Sequence, residues 1–213
     1  MKKDKSYYNT IVIILTIMCI FTSFIVANNF VLVGKFLACA HVIIYPISYF
    51  LFSLYNERYG ETKSITLIFY VVFALLFGAL LLIGTNALPI YGADNSLAFE
   101  VDFRILFGLL LAFVIGQYTN LKIYNAMCGN KSFIFLISSV VSIAIDSILF
   151  IVLSFAFTVE IDELFRLIAG EYILSILSII FYAVGFSYLI GTLINTRDKL
   201  NKPSKAIKVK NEQ

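Results

Sequence analysis

Six runs of about twenty mostly apolar residues fill this 213-residue chain, the length that carries a helix across a bilayer. They are Tyr8–Phe30, Phe36–Tyr55, Ile65–Thr85, Arg104–Ala126, Phe133–Thr158 and Tyr172–Asn195. Hydrocarbon offers backbone N–H and C=O groups no partner, so each run is expected to be a helix that satisfies its own backbone. Composition agrees, at 61% hydrophobic and 14% charged with mean hydropathy +0.94, well away from a soluble domain. The expected fold is an all-α membrane protein: one six-helix domain over 1–195, with a basic tail over 196–213. The first run follows Lys2, Lys3 and Lys5. It is longer than the about 7–15 residues of a signal-peptide core and lacks a small-x-small cleavage site after it, so it is expected to remain as a helix.

The charges predict an orientation. With the N-terminus in the cytoplasm, the inner segments hold Lys2, Lys3, Lys5, Arg58, Lys63, Lys122 and Lys131, and the tail adds Arg197, Lys199, Lys202, Lys205, Lys208 and Lys210. Only Lys35, Arg104 and Arg166 fall outside, where the loops carry Asp94, Glu100, Asp102, Glu160, Asp162 and Glu163. The excess of basic residues on one side places both termini in the cytoplasm of a cell bounded by this inner (plasma) membrane. The net charge of +3 is then a topology signal rather than a nucleic-acid footprint, and the basic tail can rest on anionic lipid.

Cys19, Cys39 and Cys128 are scattered and show no ligand spacing, so neither a disulfide nor a metal is expected, and no cofactor motif is present. The two longer loops are Asn86–Phe103, rich in turn residues, and Val159–Glu171, whose mixture of acids and apolar residues suits an interfacial helix or a plain loop.

Polar groups inside the runs are the candidate site. Asp146 lies mid-way along the fifth run, where a carboxylate costs roughly 2.5–3.5 kcal/mol on insertion scales and therefore has a partner or a job. Ser139 and Ser142 precede it by seven and four residues and share its helix face, either as interhelical packing or as pocket lining. Gly116 and Gln117 occupy the fourth run, and a buried amide needs partners for two donors and an acceptor. The second run holds His41, Tyr45, Pro46 and Tyr49. Pro46 near its centre is expected to free a backbone carbonyl, while a lone His41 reads as a structural group. Asn28 ends the first run and Arg104 opens the fourth.

The order of these motifs resembles the queuosine precursor transporter family, six-helix proteins also described as vitamin-uptake-like transporters. Tyr45-Pro46-Ile47-Ser48-Tyr49 running into Glu57-Arg58-Tyr59-Gly60 is similar to the family's Phe-Pro-x-x-Tyr and acidic-x-Tyr-Gly blocks. Arg104 with Gly116-Gln117, and Ser138-Ser139-x-x-Ser142-x-x-x-Asp146-Ser147, resemble its later blocks. The chain departs at three places: Ser53 and Asn120 stand where the family usually has acids, and Ser132-Phe133-Ile134 replaces an aromatic-x-Arg. The resemblance implies import of a 7-deazaguanine for tRNA modification: 7-cyano-7-deazaguanine, its aminomethyl form, or queuine.

A guanine-like edge presents adjacent N–H donors that one carboxylate can accept. Asp146 is therefore the expected acceptor, Gln117 the donor to the exocyclic oxygen, and Tyr45 or Tyr49 the stacking platform, with Ser139 and Ser142 lining the pocket. Asn28 and Arg104 are the expected contacts at the outer entrance. Three other readings stand beside this one: a membrane substrate-binding subunit of an ATP-driven system, a proton-coupled carrier for another small polar solute, and a membrane scaffold. The partners are then a small molecule and the bilayer; whether the chain forms a homo-oligomer is left open.

Overall fold

The computed structural model describes residues 2–27, 29–86 and 102–201, with side chains over 9–27, 29–84 and 102–189. Among the described residues six α-helices carry the chain: α1 (Lys2–Val26), α2 (Pro46–Tyr59), α3 (Glu61–Asn86), α4 (Phe103–Ala126), α5 (Lys131–Phe155) and α6 (Ile161–Asn201). Five of them, all but α2, contain a stretch long and apolar enough to cross a membrane. Their outward faces are apolar as well. On α3 these are Phe69, Phe73, Phe77 and Leu80, and on α6 they are Leu177, Phe181, Val184 and Tyr188, all exposed. A continuous apolar face of that kind is covered by lipid, not water.

The expected helix over Phe36–Tyr55 is not one helix. Residues 30–39 instead form an antiparallel hairpin, β1 (Phe30–Val33) with β2 (Phe36–Cys39), in the register Phe30↔Cys39 and Val33↔Phe36. The first helix correspondingly stops at Val26, short of the expected Phe30. The two-residue turn explains the hairpin. Gly34 has φ +63 while Lys35 keeps a negative φ, which matches a II′ turn with glycine at its first central position. A 3-10 turn, Ala40–Ile43, then leads into α2. Pro46 sits at the start of α2, where a missing N–H costs nothing, so it begins a helix instead of breaking one as expected.

At about 1.5 Å per residue the 14 residues of α2 reach only about 21 Å, too short to span alone. It is buried on nearly every side, including the polar Ser48, Ser53 and Asn56, and packs on α1, α3, α4, α5 and α6. A short polar helix is stable in such a place only because its neighbours shield it from lipid.

Of the two readings of Val159–Glu171, an interfacial helix or a plain loop, the structure has helix from Ile161 onward, as the first turns of α6 itself and not as a separate segment. Leu167, Gly170, Glu171, Ser175 and Ile179 make one buried stripe at helical spacing. Gly170 lets α6 approach the hairpin so closely that a Cβ there would run into the Leu37 carbonyl oxygen.

The turn between α2 and α3 is locked by polar contacts. Gly60, at φ +84 and ψ 171, occupies backbone space that only glycine visits readily. Around it, Tyr124 Oη donates to Glu57 Oε2 (3.0 Å), Lys131 Nζ lies 3.2 Å from the same oxygen, and Lys122 Nζ lies 2.6 Å from Glu61 Oε1. A Cβ on Gly60 would meet nothing within 4 Å, so Gly60→Ala isolates the backbone term. The expected loss is about 1–3 kcal/mol, read as a lowered melting temperature in detergent.

Candidate functional site

Asp146 lies on the inward face of α5 and is 5% exposed. Tyr45 Oη, one residue before α2, donates to its Oδ1 at 2.9 Å. Tyr49 follows one turn later, its ring tilted edge-on to that of Tyr45 with centroids 6.0 Å apart. Its hydroxyl lies against the same carboxyl group without a well-aligned hydrogen bond.

Gly116 of α4 closes the third side. A Cβ there would collide with the Tyr49 hydroxyl and approach Asp146 Cβ and Oδ1 to 3.1 and 3.2 Å. The glycine is therefore what allows α4, α2 and α5 to meet at the carboxyl group. Gly116→Ala is expected to push these elements apart at a cost of about 1–3 kcal/mol, read as a lowered melting temperature in detergent. The same change at Gly84, which lies in a helix with open space around it, should not lower the melting temperature, and the two variants measured side by side make the comparison.

Around this centre buried polar atoms outnumber their protein partners. Gln117 Nε2 donates to Ser48 Oγ at 3.1 Å, leaving Gln117 Oε1 without a partner. Asn120 Nδ2 donates to Ser53 Oγ at 3.4 Å, leaving Asn120 Oδ1 alone. Ser139 Oγ and Ser142 Oγ, on the Asp146 face of α5, also lack a partner. Serine in a helix ordinarily bonds a carbonyl of the preceding turn, as Ser138 does here with Phe135, so two unbonded hydroxyls on one buried face are unusual. Each unpaired buried polar group costs about 1–3 kcal/mol, and a row of them suits a polar ligand better than a packed core.

Of the eight expected residues, Tyr45, Tyr49 and Asp146 meet directly, Gln117 follows Gly116 beside them, and Ser142 and Ser139 lie one and two turns away along the same buried face of α5. Gln117 stands differently from expectation. Its amide nitrogen is engaged with Ser48 and its oxygen is free, so it offers an acceptor unless the amide turns over. Turning is open to it because the Ser48 hydroxyl can serve as donor or acceptor. Arg104 does not join the cluster. It is exposed on the first turn of α4, where its backbone N–H is capped by Asp102, about 20 Å along the helix from Gln117. Asn28 lies outside the described residues.

The structure adds a second buried group. Glu171 of α6, 3% exposed, accepts from the Cys39 backbone N–H at 3.1 Å with Oε2, while its Oε1 lies 3.2 Å from His41 Nε2. His41 is therefore paired, not alone, and its ring packs edge-on against Tyr45 (5.4 Å) and Phe150 (4.6 Å). Cys39, His41 and Glu171 are metal-ligating residue types with ligand atoms within 4.8 Å of one another. Both oxygens of Glu171 are engaged within the chain, one by the Cys39 N–H and one beside His41 Nε2. The signal for Glu171 in the sequence was the helical stripe Leu167, Glu171, Ser175, Ile179, which continues the last apolar run backwards.

Comparison with curated proteins and with solved structures finds no match. A family profile does match, over residues 40–191, from the 3-10 turn beside Glu171 to beyond the last described side chains of α6. That is more than half of the chain, and it contains Tyr45, Tyr49, Gln117, Ser139, Ser142 and Asp146. The chain is therefore a multi-pass membrane protein belonging to the family described as "Putative vitamin uptake transporter".

Proposed function

We propose that this chain imports a 7-deazaguanine precursor of queuosine across the plasma membrane, with both termini in the cytoplasm. The observation that carries the reading is the buried Asp146 carboxyl group, held by Tyr45, with unpaired Gln117, Ser142 and Ser139 oxygens on neighbouring turns of α4 and α5. A guanine-like edge brings a ring N–H and an exocyclic amine side by side, and the two oxygens of one carboxylate accept both. The exocyclic oxygen of such a base takes a donor from Gln117 once its amide has turned over, or from a Ser142 hydroxyl. Tyr45 and Tyr49 supply aromatic surface for the flat ring.

Motif order supports the substrate class: of the blocks that carry the resemblance to queuosine precursor transporters, Tyr45–Tyr49, Gly116-Gln117 and the block ending in Asp146 lie together around the carboxyl group. Asn28 and Arg104 act, in this reading, at the outer mouth and not in the pocket. A scaffold would have no need for a row of unpaired polar groups at mid-membrane.

The test is the queuosine content of tRNA in a bacterium that lacks both precursor synthesis and its own importer. Expression of this chain with 7-cyano-7-deazaguanine, its aminomethyl form or queuine at low concentration should restore the modification with at least one of them. No restoration with any of the three, in cells where the chain is well inserted, would reject the substrate class.

A further inference from the structure

We propose that Cys39, His41 and Glu171 bind a divalent transition-metal ion, Zn2+ by their ligand chemistry, which ties the hairpin and the 3-10 turn to α6. The site stands on its own ligands and does not depend on the transport reading above. Cysteine spacing gives no sign of it, because Glu171 lies 132 positions from Cys39 in the chain.

The donor set fits zinc. Thiolate, imidazole and carboxylate together suit Zn2+, whereas Mg2+ and Ca2+ take oxygen ligands. The three ligand atoms lie within 4.8 Å of one another, and Cys39, His41 and Glu171 are 0%, 2% and 3% exposed. His41 Nε2 and Glu171 Oε1 are 3.2 Å apart. With Zn–N and Zn–O bonds of about 2.0–2.2 Å, neighbouring ligand atoms of a tetrahedral site lie about 3.3–3.5 Å apart, close to that separation. A charge-assisted N–H···O contact is shorter, at about 2.7–2.9 Å. The 4.8 Å spread of the set is wider than such an edge, so the ligands close on the ion by about 1 Å.

Charge points the same way. Among the described residues no lysine or arginine is buried, and the ion-pair partner of Glu171 is His41, neutral unless it takes a proton. A divalent ion with one thiolate, one carboxylate and a neutral imidazole sums to zero, which removes the cost of an uncompensated buried carboxylate. On binding, Cys39 gives its thiol proton to solvent. The imidazole keeps its single proton on Nδ1 and ligates through Nε2.

Supporting contacts are in place. Glu171 Oε2 accepts from the Cys39 backbone N–H at 3.1 Å, which leaves Oε1 turned to His41, the orienting role of hydrogen bonds around metal ligands. Cys39 is the N-cap of the 3-10 turn that carries His41, so these two ligands belong to one local unit. The same turn leads to Tyr45, whose ring meets the edge of His41 and whose hydroxyl donates to Asp146. The ion therefore pins the segment that presents Tyr45, and water completes its coordination.

The test uses the full-length chain, expressed in zinc-supplemented medium and purified in detergent without a polyhistidine tag. Elemental analysis should find zinc equimolar with the wild-type chain. Cys39→Ser, and Glu171→Gln, which keeps an oxygen for the Cys39 N–H, should each retain at least tenfold less. Cys128→Ser, at the exposed cysteine, should retain as much as the wild type. Loading with Co2+ gives a second reading that leaves the site untouched. In Cys19→Ser/Cys128→Ser, Cys39 is the one remaining cysteine, and a cobalt–thiolate charge-transfer band there assigns the sulfur ligand. Absence of that band would overturn the proposal. So would a wild type that holds no more zinc than Cys39→Ser, which leaves Glu171 as a hydrogen-bonded strap. Zinc lost with Cys128→Ser would mark an adventitious ion only, and would overturn it as well.

Discussion

Asp146→Asn is expected to reduce deazaguanine uptake ten- to hundredfold while leaving the protein as stable as the wild type, or more so. An amide has nearly the same shape and is cheaper to bury at mid-membrane than a carboxyl group. Tyr45 Oη, which donates to Asp146 Oδ1 at 2.9 Å, can donate equally to the asparagine oxygen. The solute cannot be served as well. Two adjacent N–H donors need two acceptor oxygens, and asparagine presents one oxygen and one NH2. One donor is left facing another donor, and a lost hydrogen bond to a charged acceptor costs about 1.5–3 kcal/mol. Melting temperature and uptake, measured on the same preparation, should therefore move independently. Equal uptake by the variant would remove Asp146 from recognition, and a fall in stability with uptake would make it a structural group.

Gly170→Ala should act the other way, through stability. The added Cβ would overlap the Leu37 carbonyl oxygen and press on the Leu37 backbone nitrogen at 3.2 Å. Backbone cannot rotate aside as a side chain can, so α6 and β2 must separate. That separation strains the Glu171 contacts with Cys39 and His41, which lie one residue further along α6. Overpacking of this kind costs about 1–3 kcal/mol and sometimes more, so a loss of about 3 kcal/mol is expected, visible as a clear drop in melting temperature. Unchanged stability would mean that α6 does not rest on the hairpin as described.

Much of this architecture was legible in the amino-acid sequence. Runs three, four and five correspond to α3, α4 and α5 to within a few residues, because long apolar stretches bounded by turn or charged residues have one economical solution in lipid. The hairpin was not legible in the same way. Phe30-Val-Leu-Val and Phe36-Leu-Ala-Cys are continuous apolar segments, and such runs give no periodicity that separates a buried strand from a helix. Gly34-Lys35 was the available signal, since a two-residue turn with leading glycine favours a hairpin. The polar α2 escaped notice as a short helix because Phe36–Cys39 lent it an apolar leader.

The site was partly legible for a related reason. Carboxyl, amide and hydroxyl groups in a membrane run are expensive enough to be noticed singly, which exposed Asp146, Gln117 and the serines. Glu171 was hidden at the boundary of its run, where an acid is ordinarily at the surface. Helix α6 starts at Ile161, eleven residues before the Tyr172 at which the expected run begins. Ser53 and Asn120, the two positions that replace acids in the family resemblance, are hydrogen-bonded to each other at 3.4 Å. One neutral contact thus stands where two facing carboxyl groups would otherwise meet. The two departures are a single local change one turn from Gly116 along α4, away from the contacts that Asp146 makes with Tyr45, Tyr49 and Gly116.

The central claim is that Asp146 receives the donor edge of a deazaguanine, and equilibrium binding tests it most directly. Purified wild-type chain should bind labelled 7-cyano-7-deazaguanine, and an analogue lacking the exocyclic amine should compete at least tenfold more weakly. Asp146→Asn should bind the parent ligand weakly and discriminate little between the two. Tight binding by Asp146→Asn, with the preference for the exocyclic amine preserved, would contradict the account.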